Sequence, residues 1–253
     1  MLFRSARLVQ KLDATGLTVH IHAIGDRAVR ASLDAFASAR AANGDKDNRH
    51  QIAHLQLVDP ADVPRFKELG VFADFQLEWA KREPATEGPI EPYLGPERYR
   101  FLYPAGSLHK AGATIIGGSD WDVSSYNPFR AFQTAVTRAG GKGQKPLNIE
   151  ERIPLETAID AYTINAAYAM KQDAITGSLE VGKRADLVVL DRDILTIDPE
   201  TIQETKVLAT YLDGRLVHSA PTGGKADDDE EDEEPGKWWD ERESRMREWL
   251  HRD

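Results

Sequence analysis

The sequence contains no cysteine among its 253 residues. Disulfide bonds and thiolate metal sites are therefore excluded, and any metal must be bound by histidine, by a carboxylate or by a modified lysine. The sequence also lacks an apolar run that would span a membrane, and its first twelve residues carry charges at Arg4, Arg7 and Lys11. We therefore expect a cytoplasmic protein that does not contact a membrane.

The chain has no excess of positive charge, since 42 acidic residues outnumber 32 basic ones and give a formal net charge of −10. The acids are concentrated in residues 219–253, which hold thirteen Asp and Glu but only six Lys and Arg. A nearly neutral body with an acidic tail gives no support to nucleic-acid binding. The length and a hydrophobic content of 41% are sufficient for one large domain, alone or with a smaller companion.

Short apolar strands alternate with helical patterns over the first two thirds of the chain. The strands are predicted at residues 17–23, 51–57, 71–75 and 113–117, and the helices at residues 5–14, 28–42, 60–69, 103–111, 128–139 and 154–170. Four alternations of strand and helix predict parallel βαβ units, hence an α/β fold. Residues 76–100 are rich in proline and glycine and are predicted to form a long loop with little regular structure.

Residues 18–27, with the sequence TVHIHAIGDR, place two histidines at the end of the first predicted strand. Side chains alternate across a strand, so His20 and His22 share one face. Two imidazoles at the carboxyl end of a strand are suited to a divalent metal. A strand histidine that is hydrogen-bonded in the core is an equally good interpretation of this stretch alone.

Two further candidates follow the next strands. His54 lies in QIAHL at residues 51–55, and Asp120 follows a Gly-Ser pair after the fourth strand. A core histidine and a turn-capping aspartate are the structural alternatives. Functional residues of parallel sheets lie at the carboxyl ends of strands, a rule that selects His22, His54 and Asp120. Together they form a ligand set that Zn, Mn or Fe accepts.

The pattern changes after residue 171. Residues 207–212 and 215–218 flank an Asp-Gly pair and predict a β-hairpin, which together with a strand at residues 185–190 forms a small β unit. We therefore divide the chain into a β/α body at residues 1–171, a β-sandwich portion at residues 172–219 and an acidic tail at residues 220–253. The tail is predicted to be disordered, with a short terminal helix as an alternative to a frayed end.

Four motifs in this order resemble the amidohydrolase superfamily. They are HAIGDRA at residues 22–28, IAH at residues 52–54, GGSDW at residues 117–121 and GSLEVGKRADLVVL at residues 177–190. Within that superfamily the sequence is similar to family 3, the YtcJ-like proteins and N-substituted formamide deformylases, over about residues 5–218. The resemblance implies the C-terminal half of a TIM-like (β/α)8 metal-dependent hydrolase barrel with part of a small β-sandwich.

The resemblance also implies a site. His22, His54 and Asp120 would be metal ligands on the fifth, sixth and eighth barrel strands, with Asp120 also the catalytic proton acceptor. The implied cofactor is a divalent metal, for which zinc is the first choice. The implied substrate is a small-molecule amide, whose non-peptide C–N bond is hydrolysed by an activated water. His20 is expected to be packed behind His22, and Asp26 with Arg27 to form an ion pair or a helix cap. Candidate pocket residues, each of which has a core role as its alternative, are Phe75, Gln76, Trp79, Trp121 and Tyr126.

The sequence departs from the family at its N-terminal side. Family members carry a His-x-His pair on the first barrel strand and a carboxylated lysine or glutamate on the fourth, and neither precedes His22 here. A half barrel exposes strand edges at residues 18–23 and 113–117. Three explanations stay open: a truncated chain, which we favour, a partner chain that supplies an N-terminal half barrel, or a self-paired homodimer. The alternative function is a non-catalytic remnant or subunit that acts as an interaction module.

Overall fold

The computed structural model describes residues 2–83 and 90–221 of the chain. In the first part of the described chain, strands and helices alternate. The order is α1 Leu2–Ala14, β1 His20–Ala23, α2 Asp26–Asn43, β2 Gln51–His54, α3 Val63–Leu69, β3 Phe72–Phe75, α4 Glu91–Tyr99, α5 Ala105–Lys110, β4 Ile115–Gly117, α6 Pro128–Thr137, α7 Leu155–Tyr162 and α8 Ile164–Ala169. Three further strands follow, β5 Leu187–Leu190, β6 Val207–Leu212 and β7 Arg215–Ser219, and short 3-10 helices lie at Pro60–Asp62, Leu77–Trp79, Ile149–Glu151 and Pro199–Glu204.

The first four strands form one parallel sheet in the order β1-β2-β3-β4. The α/β fold predicted from the alternating pattern is therefore confirmed. Residues in register on neighbouring strands share a face of the sheet. His22 aligns with Ala53, Ala53 with Asp74, and Asp74 with Ile116. We call the face that carries these four residues the site face.

The opposite face of the sheet is covered by helices. Ile52, Ala73 and Ile115 are at most 1% exposed and belong to the main hydrophobic core, which also contains the α2 residues Leu33 and Phe36. On the site face, Phe72 and Ile116 form a separate small cluster with Ala169. Burial of apolar area is the dominant favourable term in folding, so the helix-covered face holds most of the stabilisation and leaves the site face free for polar groups.

Local sequence explains where several helices begin and end. The Asn127 side chain accepts a hydrogen bond from the backbone N–H of Phe129 at 3.0 Å, which satisfies one free donor at the start of α6, and Pro128 occupies the first helical position. Gly70 ends α3 in the left-handed conformation, with a φ of 64°. These are the cap and stop signals that the sequence displays.

Two sequence predictions about helices were wrong. Part of the predicted irregular loop at residues 76–100 is helical, because α4 forms at Glu91–Tyr99 with a kink at Gly95, where φ is 66°. The single helix predicted at residues 154–170 is divided in two at Thr163, whose φ and ψ are −124° and −99°. The Thr163 hydroxyl donates a hydrogen bond to the carbonyl of Ile159 at 2.7 Å, and such bonds from β-branched residues weaken a helix.

The last three strands form an antiparallel sheet in the order β5-β6-β7. Asp213 and Gly214 join β6 to β7 with φ values of 52° and 74°, the positive pair that a tight hairpin turn requires. The hairpin predicted from the Asp-Gly pair is thus present. The three-part division at residues 171 and 219 stays a prediction, and the acidic run at residues 227–234 and the helix proposed after it lie outside the described residues.

No helix in the described ranges combines the length and the apolar character needed to cross a membrane.

Candidate active site

His22 lies on the site face, next to the carboxyl end of β1, and is exposed. Its ring contacts the ring of His54 edge to face, with a centroid separation of 4.4 Å and an interplanar angle of 70°. Two of the three predicted ligands are therefore neighbours in space although 32 positions separate them in the chain.

His54 reaches this position because the backbone turns at His54 itself. Strand alternation alone would point His54 away from the face that carries Ala53. The φ of His54 is 77°, however, which ends the extended conformation at the last residue of β2. A non-glycine residue with positive φ is uncommon, and such residues cluster at functional sites. The contact with His22 depends on this turn.

The ring of His54 is held from two sides. Its Nδ1 atom lies 2.6 Å from the Oε1 atom of Gln76, and its plane stacks on Trp79 at a centroid distance of 5.5 Å. Because an amide oxygen can only accept, this hydrogen bond assigns the proton to Nδ1 and leaves the lone pair on Nε2. An imidazole oriented through its second nitrogen is the usual arrangement of a metal-binding histidine.

The surroundings of His54 favour its neutral form. Burial lowers the pKa of His54, the hydrogen bond to Gln76 opposes that change, and the nearby His22 lowers the pKa again. The side chain is only 7% exposed, so the burial effect is the dominant one. A neutral imidazole is the form that binds a metal, since a protonated ring has no lone pair to give.

Asp120 follows β4 by three residues and is exposed. Its φ of 53° places it in the left-handed region at the carboxyl edge of the sheet, on the turn that also contains Ser119 and Trp121. Its negative charge raises the pKa values of both His54 and Asp74, so the carboxylate is close enough to interact electrostatically with both. Asp120 therefore lies within electrostatic range of His54 and Asp74.

Within residues 2–83 and 90–221, no three His, Cys, Asp or Glu side chains lie close enough together to hold a metal ion. The chemistry of the donor set nevertheless fits a borderline divalent cation, because it consists of two imidazoles and a carboxylate at one edge of a sheet. The free Nε2 lone pair of His54 adds a donor that is already oriented. The assignment of His22, His54 and Asp120 as ligands stays a prediction.

Asp74 is a member of this site that the sequence interpretation missed. It lies on β3 in register with Ala53, on the site face, and is only 8% exposed. Its Oδ2 atom is 3.3 Å from Nε2 of His20. Burial, with a smaller contribution from the charge of Asp120, raises the pKa of Asp74 to about 7. A lone acid inside the apolar strand at residues 71–75 was the available signal.

The expectation that His20 is packed behind His22 was wrong. His20 does share the site face, but 51% of its side chain is exposed and its ring contacts Asp74. β1 is an edge strand of the sheet, so no described strand pairs with it on the side away from β2. His20 therefore belongs to the surface of the site.

The supporting and pocket residues divide into two groups. Asp26 forms an ion pair with Arg98 of α4 at 2.7 Å and accepts a hydrogen bond from the backbone N–H of Arg27, so its ion-pair partner is Arg98 and not the expected Arg27. Of the five candidate pocket residues, Gln76 and Trp79 contact His54, Phe75 is fully buried in the main core, and Trp121 and Tyr126 are exposed.

A parallel β/α sheet with histidines and an aspartate at the carboxyl ends of its strands is the arrangement that β/α-barrel proteins have. The chain belongs to the amidohydrolase family, whose family model matches residues 3–218. The chain is 37% identical to the protein LONG AFTER FAR-RED 3 of Arabidopsis thaliana over 207 residues, which are 81% of this chain and 35% of that protein. It is 30% identical to the N-substituted formamide deformylase of Arthrobacter pascens over 213 residues, 83% of this chain and 38% of that protein.

Solved structures agree with this assignment. A metal-dependent hydrolase from Pyrococcus horikoshii, whose activity is uncharacterized, superposes with a TM-score of 0.66 and is 27% identical over 79% of this chain and 39% of its own. The predicted family and the half-barrel fold class are therefore confirmed. The chain spans less than two fifths of the length of each of these relatives.

Proposed function

We propose that this chain carries part of the active site of a metal-dependent amidohydrolase that hydrolyses a C–N bond of a small-molecule amide. The observation that carries the proposal is the His22–His54 contact, at the edge of the sheet where β/α barrels have their active sites and where Asp120 follows β4. The relative from Arthrobacter pascens, a deformylase of N-substituted formamides, supports an amide as the substrate class.

His22, His54 and Asp120 would hold the divalent ion, and zinc suits two imidazoles and a carboxylate. When bound, the ion lowers the pKa of water from ~15.7 toward ~7 and polarises a carbonyl group. Asp120 accepts the proton of the attacking water and returns it to the departing nitrogen, which general acid–base catalysis by one carboxylate permits. Gln76 and Trp79 hold the ring of His54, so that its lone pair keeps one direction throughout.

The proposal is tested with the full chain, stripped of metal and then supplied with Zn²⁺ or Mn²⁺. We expect bound metal and release of an amine from N-substituted formamides. Asp120→Asn should retain part of the metal and lose activity, whereas His54→Ala should lose both. His218→Ala on β7 is the matched control, because this exposed histidine lies in the other sheet.

A protein that stays free of metal and inert with both ions would overturn the proposal for the chain by itself. It would also favour a second candidate, a subunit that is active only with a partner. That candidate is supported by the absence of a three-residue metal cluster among the described residues and by the exposed edge of β1, which ends the sheet.

The partner in this second candidate is a chain that supplies the missing barrel strands or a second copy of this one. Sedimentation measurements of the purified chain separate a monomer from a dimer. Recovery of metal binding only upon dimerisation, or only with an added N-terminal half barrel from a relative, would support it. A monomer that binds metal and is active contradicts it.

A further inference from the structure

The Asp74 carboxyl group is largely buried, and among the described residues no lysine or arginine pairs with it. Among the described residues it receives no hydrogen bond, and its one polar contact is the 3.3 Å approach of His20. Its side chain is 11% exposed. A buried charge without donors costs stability, so such groups persist mainly where they have a function.

Asp13 shows what a structural aspartate looks like in the same chain. It is 4% exposed, and its carboxylate accepts hydrogen bonds from Asn43 at 2.6 Å and from Asn48 at 2.5 Å. His50 lies 3.0 Å from the same group. Burial alone would raise the pKa of Asp13, but these three hydrogen bonds lower it below its ordinary value. At Asp74 no hydrogen bond from a described residue offsets the effect of burial, so its pKa is raised instead.

The surroundings of Asp74 supply no fixed positive charge. The other buried acid near this face, Glu78, is neutralised by Arg130 at 2.9 Å and by Lys81 at 3.5 Å. Among the described residues, Asp74 has no lysine or arginine within ion-pair distance, and Asp120 adds a second negative charge. The site is therefore electronegative on this side.

Gly118 lies next to the carboxyl group. A Cβ atom on Gly118 would lie 4.0 Å from Oδ1 of Asp74 and 3.8 Å from Nε2 of Gln76, which are ordinary van der Waals distances. Asp74 also lies in the same register row as His22, on the site face, with Ala53 of β2 between them.

We propose that Asp74 is a specificity-determining residue whose carboxylate binds an N–H-bearing cationic group, an amine or ammonium, on the amide substrate. This inference rests on the proposed function, and it adds the charge class of the substrate. A cationic nitrogen supplies the donors and the charge that Asp74 lacks, whereas a substrate carboxylate meets the like charge of Asp74. Asp74 thus accepts aminoalkyl amides and rejects amides that carry an acid.

The binding test needs no turnover. The full chain with ¹³C-labelled aspartate is titrated at pH 8 with n-butylamine, 1-butanol and butyrate, followed by NMR. We expect saturable shifts with n-butylamine, weaker ones with 1-butanol and none with butyrate. Charge-assisted hydrogen bonds contribute about 1.5–3 kcal/mol, so Asp74→Asn should weaken amine binding roughly tenfold or more and leave 1-butanol unchanged.

Asp34→Asn is the matched control, because Asp34 is an exposed carboxylate on α2 that pairs with Arg65. It should bind n-butylamine as the wild type does. Equal binding of n-butylamine by wild type and Asp74→Asn, or binding of butyrate by the wild type at least as tight as that of the amine, overturns the inference. The comparison of butyrate with n-butylamine uses only the wild type, so it tests the inference even if Asp74→Asn does not fold.

A second test of the role of Asp74 measures enzyme activity. Aminoalkyl formamides should have a lower KM than alkyl formamides of equal length in the wild type, and Asp74→Asn should remove this difference in KM. Hydrolysis without this discrimination contradicts only the role of Asp74. Amine binding that depends on Asp74 in a protein that is inert with every metal contradicts only the proposed function.

Discussion

The Nδ1 atom of His54 lies 2.6 Å from the Oε1 atom of Gln76, which fixes the imidazole from the side opposite to its free lone pair. Gln76 stands one residue after β3, whereas His54 ends β2. The side chain of one strand end thus orients the functional group of its neighbour, and this relationship leads to the first prediction.

Replacing Gln76 by leucine keeps a similar volume and removes the acceptor for the Nδ1 proton. We expect Asp120 and His22 to stay in place and zinc to bind ~10–100-fold more weakly, the usual effect of losing a partner behind a metal-binding histidine. Competition with a chromophoric chelator measures the affinity. Gln10→Leu is the control, because Gln10 bonds to Ser38 between α1 and α2. Equal losses in both variants would refute the role of Gln76.

Asp74 should make stability depend on pH. Its pKa is about 7 in the folded protein, against 3.8 for an unperturbed aspartate in water, so the folded state binds more protons between these values. The contribution of Asp74 is fully present below pH ~4 and is lost as the pH rises through 7, by up to about 4 kcal/mol.

Asp74→Asn removes this titration, so the free energy of unfolding of the variant, relative to wild type, should increase between pH 4 and pH 8. Urea denaturation at a series of pH values measures the difference, in which the other titrating groups cancel. A difference that is constant with pH would show that the carboxyl group titrates normally.

Gly117→Ala should be strongly destabilising. A Cβ atom at this position would lie 2.2 Å from the ring of Tyr162, so the ring or the strand must move. Overpacking of this kind costs typically 1–3 kcal/mol, and thermal unfolding with a two-state analysis would show it. Gly25→Ala provides the comparison, because nothing lies within 4 Å of its Cβ position and its φ is −98°. A destabilisation no larger than that of Gly25→Ala would contradict the prediction.

Arg138 is predicted to be essential for folding and dispensable for chemistry. It is 1% exposed, and its guanidinium donates hydrogen bonds to the backbone carbonyls of Leu102, Tyr103 and Leu147 at 2.9–3.0 Å. Burial lowers its pKa to about 10, so it remains charged at neutral pH. Arg138→Met removes the side-chain donor of the Leu102 and Leu147 carbonyls, leaves the Tyr103 carbonyl only the N–H of Ala105, and should cost at least ~3 kcal/mol.

Chemical denaturation measures this loss, and the exposed Arg7→Met on α1 should change the free energy of unfolding by less than ~0.5 kcal/mol. Metal affinity per folded molecule should be unchanged in Arg138→Met. A variant that folds normally would show that water replaces the guanidinium at the three carbonyls.

Much of the fold was predictable, because each strand of the parallel sheet is an apolar run bounded by glycine or polar residues and several helices carry their own cap or stop residues. The wrong predictions concern segments whose structure is determined by long-range contacts or by a single side chain. Thr163, whose hydroxyl donates to the carbonyl of Ile159, lies at the break in an alanine-rich helix, and α4 forms in a proline-rich segment that Arg98 joins to Asp26. A propensity summed over a window does not contain either contact.

The candidate site also contains some residues that the sequence could predict and others that it could not. His22, His54 and Asp120 could be selected from the sequence because their motifs stand directly at or after strand ends. Asp74 could not, because a single acid in an apolar strand has no partner that the sequence reveals. His20 was misjudged because its exposure depends on what covers β1.

The sequence by itself determined the family, the parallel β/α order and the three candidate ligands, since these follow from local patterns and motif spacing. Only the tertiary structure decided that His54 turns toward His22 through a positive φ, and that Gln76 and Trp79 hold its ring. Only register places Asp74 in the same row as His22. The physical reason is that side-chain direction at a strand end depends on one backbone dihedral and on the alignment of neighbouring strands, which distant contacts set.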